Sequence, residues 1–267
     1  MCDLTKFKST HYEGSRGYIF MAILNLTTIV HASANNLINV LTKYQNNYAL
    51  VLPEKYQRGR VYILDISKNS NDFKDVDIFS SQSLIKHSNQ LRKSSNADML
   101  IGRYLEDRDI YKRGDQYKGQ EESRSVHLGQ DLMVPAGTKV YAPLDGKVHS
   151  FKDNNDIADY GPTIILEHTL DGIRFYTLYG HLSRSTLLNL KINTKITKGQ
   201  QIATIGKPFE NGGWPEHLHF QIIDDMQGEL GNFKGVIEPS KKDLYAKHCP
   251  DPNIILNIDA LKVQDKS

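Results

Sequence analysis

The sharpest pattern of apolar and polar positions lies at His217-Leu218-His219-Phe220-Gln221-Ile222. Side chains on a strand alternate faces, so this run predicts a strand with Leu218, Phe220 and Ile222 on one side and His217 and His219 on the other. One face is core and the other is free for chemistry. Upstream, from Arg124 onward, short apolar runs are broken by turn residues. VHLGQDLMV leads into Pro135-Ala136-Gly137, KVYAPL into Asp145-Gly146, and TIILEH into Asp171-Gly172, followed by IRFYTLYGHL and KITKGQQIATIG. Period-two runs punctuated this closely predict a mostly β domain with antiparallel pairing. Asp171-Gly172 is a two-residue hairpin turn.

The chain before this domain has a different texture. Residues 35–48 carry Leu37, Ile38, Val40 and Leu41 at helical spacing, and ALVL (49–52) and VYILDI (61–66) are strand-like. Residues 67–98 are rich in Ser, Asn, Lys and Asp and read as a linker around at most one short helix. We divide the chain into an N-terminal stretch, 1–34, a small α/β segment and linker, 35–114, a β domain, 115–230, and a C-terminal extension packed on it, 231–267, with a helix in KKDLYAKH. Residues 18–34 are mostly apolar and end in Ala32-Ser33-Ala34, which reads either as a signal peptide for export or as an N-terminal helix of a cytoplasmic protein. The run is too short and polar for a stable membrane span.

Composition narrows the chemistry. With 267 residues the chain buries a core without help from a metal. A formal charge of +2, from 33 basic against 31 acidic residues, argues against nucleic acid as a partner. Cys2 and Cys249 sit at opposite ends, which excludes a disulfide framework and a cysteine-based metal site. Any metal is therefore held by histidine and carboxylate. Besides His217 and His219, His127 and Asp131 fall in His127-Leu128-Gly129-Gln130-Asp131, and His181 falls in Tyr179-Gly180-His181-Leu182-Ser183. Four histidines and a carboxylate at strand edges suffice for three protein ligands plus acid/base groups around an open metal position, the pattern of a catalytic zinc site. His149 and His168 lie outside these motifs and read as structural, and His87 as exposed. Glu167 and Asp145 are either partners that orient a ligand imidazole or turn and edge residues.

These motifs, in this order, resemble the lysostaphin-type zinc metallopeptidases, the peptidoglycan and glycyl-glycine endopeptidases. The likeness covers about residues 120–224 and extends to PAGTKVYAPLDGKV, GPTIILEH, KGQQIATIG and HLHFQI. It implies the antiparallel β-sheet groove of that family, a fold like the duplicated hybrid motif, and one Zn²⁺ bound by His127, Asp131 and His219. It also implies catalytic roles for His181 and His217, and hydrolysis of amide bonds in peptidoglycan peptides. A tyrosine shortly before the first ligand helps stabilise the oxyanion in many relatives, and Tyr117 is the nearest candidate here. Trp214, next to the His-x-His, is either a substrate platform or a lid over the core. Gln221 stands where relatives usually have glutamate.

The runs IGRYLEDRDIY (101–111) and CPDPNIIL (249–256) are similar to the metallopeptidase-like middle domain of kinase-aminotransferase fusion proteins. That subgroup implies a cytosolic hydrolase of a small amide as the alternative activity. A module that docks glycan or a partner protein without catalysis is the alternative from a different class. The oligomeric state is not legible in the sequence.

Overall fold

The structure, a computed structural model, describes residues 36–262. The strands are β1 (Val61–Ile63), β2 (Met99–Ile101), β3 (Val126–His127), β4 (Gln130–Met133), β5 (Lys139–Tyr141) and β6 (Gly146–Asn154). They continue with β7 (Gly161–Leu170), β8 (Ile173–Gly180), β9 (Lys195–Ile196), β10 (Gln201–Thr204), β11 (Leu218–Ile223) and β12 (Val236–Ile237). Eight of them form one sheet in the order β1-β2-β4-β11-β8-β7-β6-β9, and the pairs β10-β5 and β12-β3 lie outside it. Among the described residues only the β1–β2 pairing is parallel. The expected mostly β, antiparallel fold is therefore present.

The β7–β8 hairpin closes through Asp171 and Gly172, both at positive φ (48° and 78°). That is the backbone of a tight hairpin turn whose twist matches the flanking strands. The long β6–β7–β8 meander then carries β11 beside β8 and β4 beside β11, so the central strands are β4, β11 and β8. Together with β3, which carries His127, these three frame the site.

Alternation along β11 does what the sequence implies. Leu218, Phe220 and Ile222 are fully buried in one core with Leu132, Ile164, Leu166, Phe175 and Tyr179. The helical residues 36–43 add Leu37 and Leu41 to this core, and the C-terminal helix Asn253–Leu256 adds Ile255 and Leu256. On the opposite face, one apolar cluster gathers Leu128, Ile165, Leu178 and Tyr245 and another gathers Ile66, Leu84, Ile110, Met133 and Trp214. The histidine face of β11 looks into the gap between these two clusters.

Two local expectations fail. Residues 49–52 are not a strand; the Val51 and Leu52 amides donate to the Gln57 side chain instead of to a neighbouring strand. The polar stretch 67–98 contains a helix of 14 residues, Ser81–Ser94, capped by the Ser80 hydroxyl accepting from the Ser83 amide. Its inward stripe includes Leu84 and Ser88, and a serine in that stripe breaks the apolar period that would have marked it. Strands β1 and β2, from the segment before the β domain, extend the same sheet through β4. Residues 1–34, with the signal-peptide or helix expectation, lie outside the described residues. Among the described residues no helix is long and apolar enough to cross a membrane.

Candidate metal centre

In the sheet, His219 is paired opposite Asp131 on one side and opposite Gly180 on the other. Directly opposed residues on adjacent strands project their side chains together, so the pairing sets Asp131 against His219. His127 arrives from β3, four positions before Asp131. Gly129 between them is required: a Cβ there would lie 2.3 Å from the His219 ring.

The result is a convergence of three acceptor atoms. Asp131 Oδ1 lies 3.3 Å from His127 Nε2 and 3.3 Å from His219 Nδ1, and the two nitrogens are 2.9 Å apart. Donors at zinc distance in a tetrahedral site stand about 3.3 Å from each other. Asp131 Oδ1 is buried and has no hydrogen-bond partner. His219 Nε2 lies 3.0 Å from the Gln221 carbonyl oxygen, which can only accept, so this nitrogen carries the proton and Nδ1 is left with a bare lone pair. Gln221 is itself fixed, its amide donating to the Lys234 carbonyl at 3.1 Å and reaching Cys249 Sγ at 3.2 Å. A buried, unpartnered carboxylate oxygen beside a bare imidazole nitrogen suits a cation, and two nitrogens with one oxygen suit Zn²⁺. His127, Asp131 and His219 thus form a candidate metal site.

The carboxylate has a second partner that the sequence did not suggest. Asp131 Oδ2 accepts from Arg108 Nη1 at 2.5 Å, and Arg108 Nε donates to Glu106 at 2.8 Å, all three side chains being buried. Burial alone would raise the Asp131 pKa, but His127 and the Arg108 guanidinium outweigh it and hold the carboxyl well below its usual range. Burial, reinforced by the Arg108 charge, pushes His127 down to about 3. With Oδ2 occupied by Arg108, Asp131 offers the metal one oxygen.

His181 and His217 complete the cluster. Their ring centroids are 4.1 Å apart, and His217 Nε2 is 3.6 Å from Asp131 Oδ1. His217 Nδ1 donates to the Pro215 carbonyl at 2.7 Å and His181 Nδ1 to the Asn211 carbonyl at 3.2 Å. Carbonyl oxygens only accept, so both rings carry their proton on Nδ1 and keep Nε2 free as a base. Burial lowers the pKa of both, and for His181 the neighbouring His217 and His219 add to it. His181 follows the last residue of β8 at φ 64°, a left-handed conformation that is strained for a side chain of this size. Hydrogen bonds from its amide to the Tyr160 carbonyl and from the Gly206 amide to its own carbonyl hold it there.

The remaining sequence candidates are placed as follows. Tyr117 lines the cavity, but its hydroxyl donates to the Ala158 carbonyl at 2.7 Å. Two other tyrosines pack on the site: the Tyr111 ring stacks on His127 (6.2 Å, 22°) with its hydroxyl 3.2 Å from Arg108 Nη1, and the Tyr160 ring lies edge-on to His219 at 5.0 Å. Trp214 is buried, edge-on to Tyr111 at 6.1 Å and under the Arg113 guanidinium at 4.7 Å, and forms a wall of the cavity. His168 is structural, bonded to the Asp145 carbonyl and Thr177, and Glu167 pairs with Lys147. Neither Glu167 nor Asp145 contacts a ligand imidazole. Gln221 does, and its position two residues after His219 on the same strand face was a legible signal; Arg108 and Tyr111 left none. Tyr111, Tyr117 and Trp214 line a cavity of about 300 Å³, in which His127 and His219 are each 2% exposed.

Residues 125–230 match the model of Peptidase family M23. The chain is similar to "Peptidoglycan DD-endopeptidase ShyA" of Vibrio cholerae serotype O1, 31% identical over 97 residues, which are 36% of this chain and 20% of that protein. It is also similar to an "Uncharacterized metalloprotease" of Haemophilus influenzae, 34% identical over 96 residues, covering 36% of this chain and 18% of the relative. The chain thus spans about a fifth of the length of the curated relatives it matches. Among solved structures, the catalytic domain of lysostaphin from Staphylococcus simulans is 27% identical over 43% of this chain and 77% of that one, with a TM-score of 0.32.

Proposed function

We propose that this protein is a zinc-dependent metalloendopeptidase that hydrolyses amide bonds, with peptidoglycan peptides as its substrate class. The observation that carries the reading is the convergence of His127 Nε2, Asp131 Oδ1 and His219 Nδ1 beside two histidines that present free Nε2 atoms. A zinc ion held there supplies Lewis acidity, acidifying water and polarising a carbonyl oxygen. His181 and His217 manage the proton. With their Nδ1 atoms tied to Asn211 and Pro215, one Nε2 takes up the proton that the attacking water gives up and delivers it to the leaving amine. Their separation of 4.1 Å, ring centroid to ring centroid, disfavours two charged rings at once, so the pair carries one proton per cycle. Once charged, the pair also stabilises the negative charge that develops on the carbonyl oxygen. The peptidoglycan assignment is supported by the similarity to the Vibrio cholerae protein, a peptidoglycan DD-endopeptidase by name.

A second reading, hydrolysis of a small amide, is favoured by the burial of the site, in which His127, His181, His217 and His219 are each 6% exposed or less. Incubating the zinc-loaded protein with purified cell-wall sacculi separates the two. Release of soluble muropeptides, lost in His181→Ala, supports the wall substrate; intact sacculi with one bound zinc transfer the assignment to small amides.

A further inference from the structure

The cavity continues past the histidines in one direction that their chemistry does not use. Met133 lies two positions along β4 from Asp131 and therefore on the same face. From Met133 the cavity wall runs through Ile66, Phe73, Leu84 and Ile110, side chains without charge. Arg108 borders the same space, but its guanidinium is committed to Glu106 and Asp131. At this end stands Ser88, one turn after Leu84 on the helix Ser81–Ser94 and facing the same way. It is 7% exposed and lines the cavity, and its Oγ has no hydrogen-bond partner. A mid-helix serine can satisfy itself on the carbonyl four residues back; Ser88 does not. A buried hydroxyl left unbonded is unfavourable, and a ligand atom that reaches it removes that penalty. Ile66, Phe73, Leu84, Ser88 and Ile110 all precede the segment 125–230 that matches the family model, so this wall is supplied by the chain's own N-terminal part.

We propose that this pocket receives the side chain of a substrate residue flanking the scissile bond, and that the preferred side chain is uncharged, aliphatic along its length and hydrogen-bonding at its tip, as in glutamine. The apolar wall takes the stem, Ser88 Oγ meets the tip, and glycine or a carboxylate side chain leaves the pocket unfilled or buries an unpaired charge. The assignment deepens the metallopeptidase reading and rests on it.

The test uses hydroxamates, which anchor on zinc, bound to the zinc-loaded full-length protein and measured by calorimetry. Acetohydroxamate, which is too short for the pocket, reports on the metal site alone. A matched series of peptidyl hydroxamates carrying glycine, leucine, glutamine or glutamate reports on the pocket. We expect leucine and glutamine to bind about tenfold or more tighter than glycine, glutamine tighter than leucine, and glutamate no tighter than glycine. Ser88→Ala should bring glutamine down to leucine, and Leu84→Trp should bring both to glycine. A flat series with acetohydroxamate still bound overturns the pocket and leaves the metal centre standing. Acetohydroxamate that fails to bind the zinc-loaded protein overturns the metallopeptidase reading and the pocket with it.

Discussion

Asp131 and His219 are register partners across β4 and β11, and their side chains meet with Oδ1 3.3 Å from Nδ1. The sheet itself therefore brings together two of the three candidate ligands, through backbone pairing rather than through loop conformation. Sites carried on paired strands hold their geometry more tightly than sites on loops. The remaining elements of the centre act on these two residues.

Gln221 is the first of them. By accepting from His219 Nε2 it fixes the tautomer that leaves Nδ1 for the metal. Partners of this kind are worth about 10–100-fold in metal affinity. Gln221→Leu should weaken zinc binding by that factor in chelator competition, while Gln221→Glu, which keeps an acceptor at the same place, should lose far less.

Arg108 bridges Glu106 and Asp131 inside the protein. Removing one partner of a buried ionic network leaves the other charges uncompensated, at about 3–5 kcal/mol. Arg108→Met should lower the melting temperature of the metal-free protein by many degrees. Replacing Glu106 with Leu in the same chain should recover part of the loss, because one stranded carboxylate is then gone.

The buried histidines set the acid limit of the fold. His127 is pushed down to about 3 and His168 to about 4, mainly by burial, and His181 and His217 are lowered for the same reason. In the unfolded chain each returns to about 6.5. Below that pH the unfolded state binds protons that the native state refuses, so stability falls as pH decreases from about 6.5 toward the native values. His248 works the other way. Its hydrogen bond to Asp224 raises its pKa, which favours the fold at low pH, but it is one group against four. Thermal melts of the metal-free protein should show the midpoint falling steadily between about pH 6.5 and pH 4.

Much of this was legible in the sequence, for identifiable reasons. The Leu218/Phe220/Ile222 alternation fixed which face of β11 is core, and Asp171-Gly172 marked the β7–β8 hairpin. Both signals are local, and local signals survive without knowledge of the fold. The helix Ser81–Ser94 was hidden because Ser88 sits in its inward stripe, the position now assigned to a substrate pocket. Arg108 was invisible because a salt bridge to Asp131 spans 23 residues and depends on how β2 and β4 pair. Tyr117 was the nearest tyrosine in sequence, yet its hydroxyl is spent on Ala158, and Tyr111 stands over His127 instead.

In the proposed mechanism three of the five clustered residues, His127, Asp131 and His219, bind the metal, and His181 and His217 handle protons. Zinc content per chain, measured by atomic emission after dialysis at neutral pH, tests it in one experiment across three proteins. Wild type and His181→Ala should each retain one zinc, with peptide hydrolysis lost in the second, and His219→Ala should retain none. Loss of zinc from His181→Ala, or its retention by His219→Ala, would contradict the division of roles.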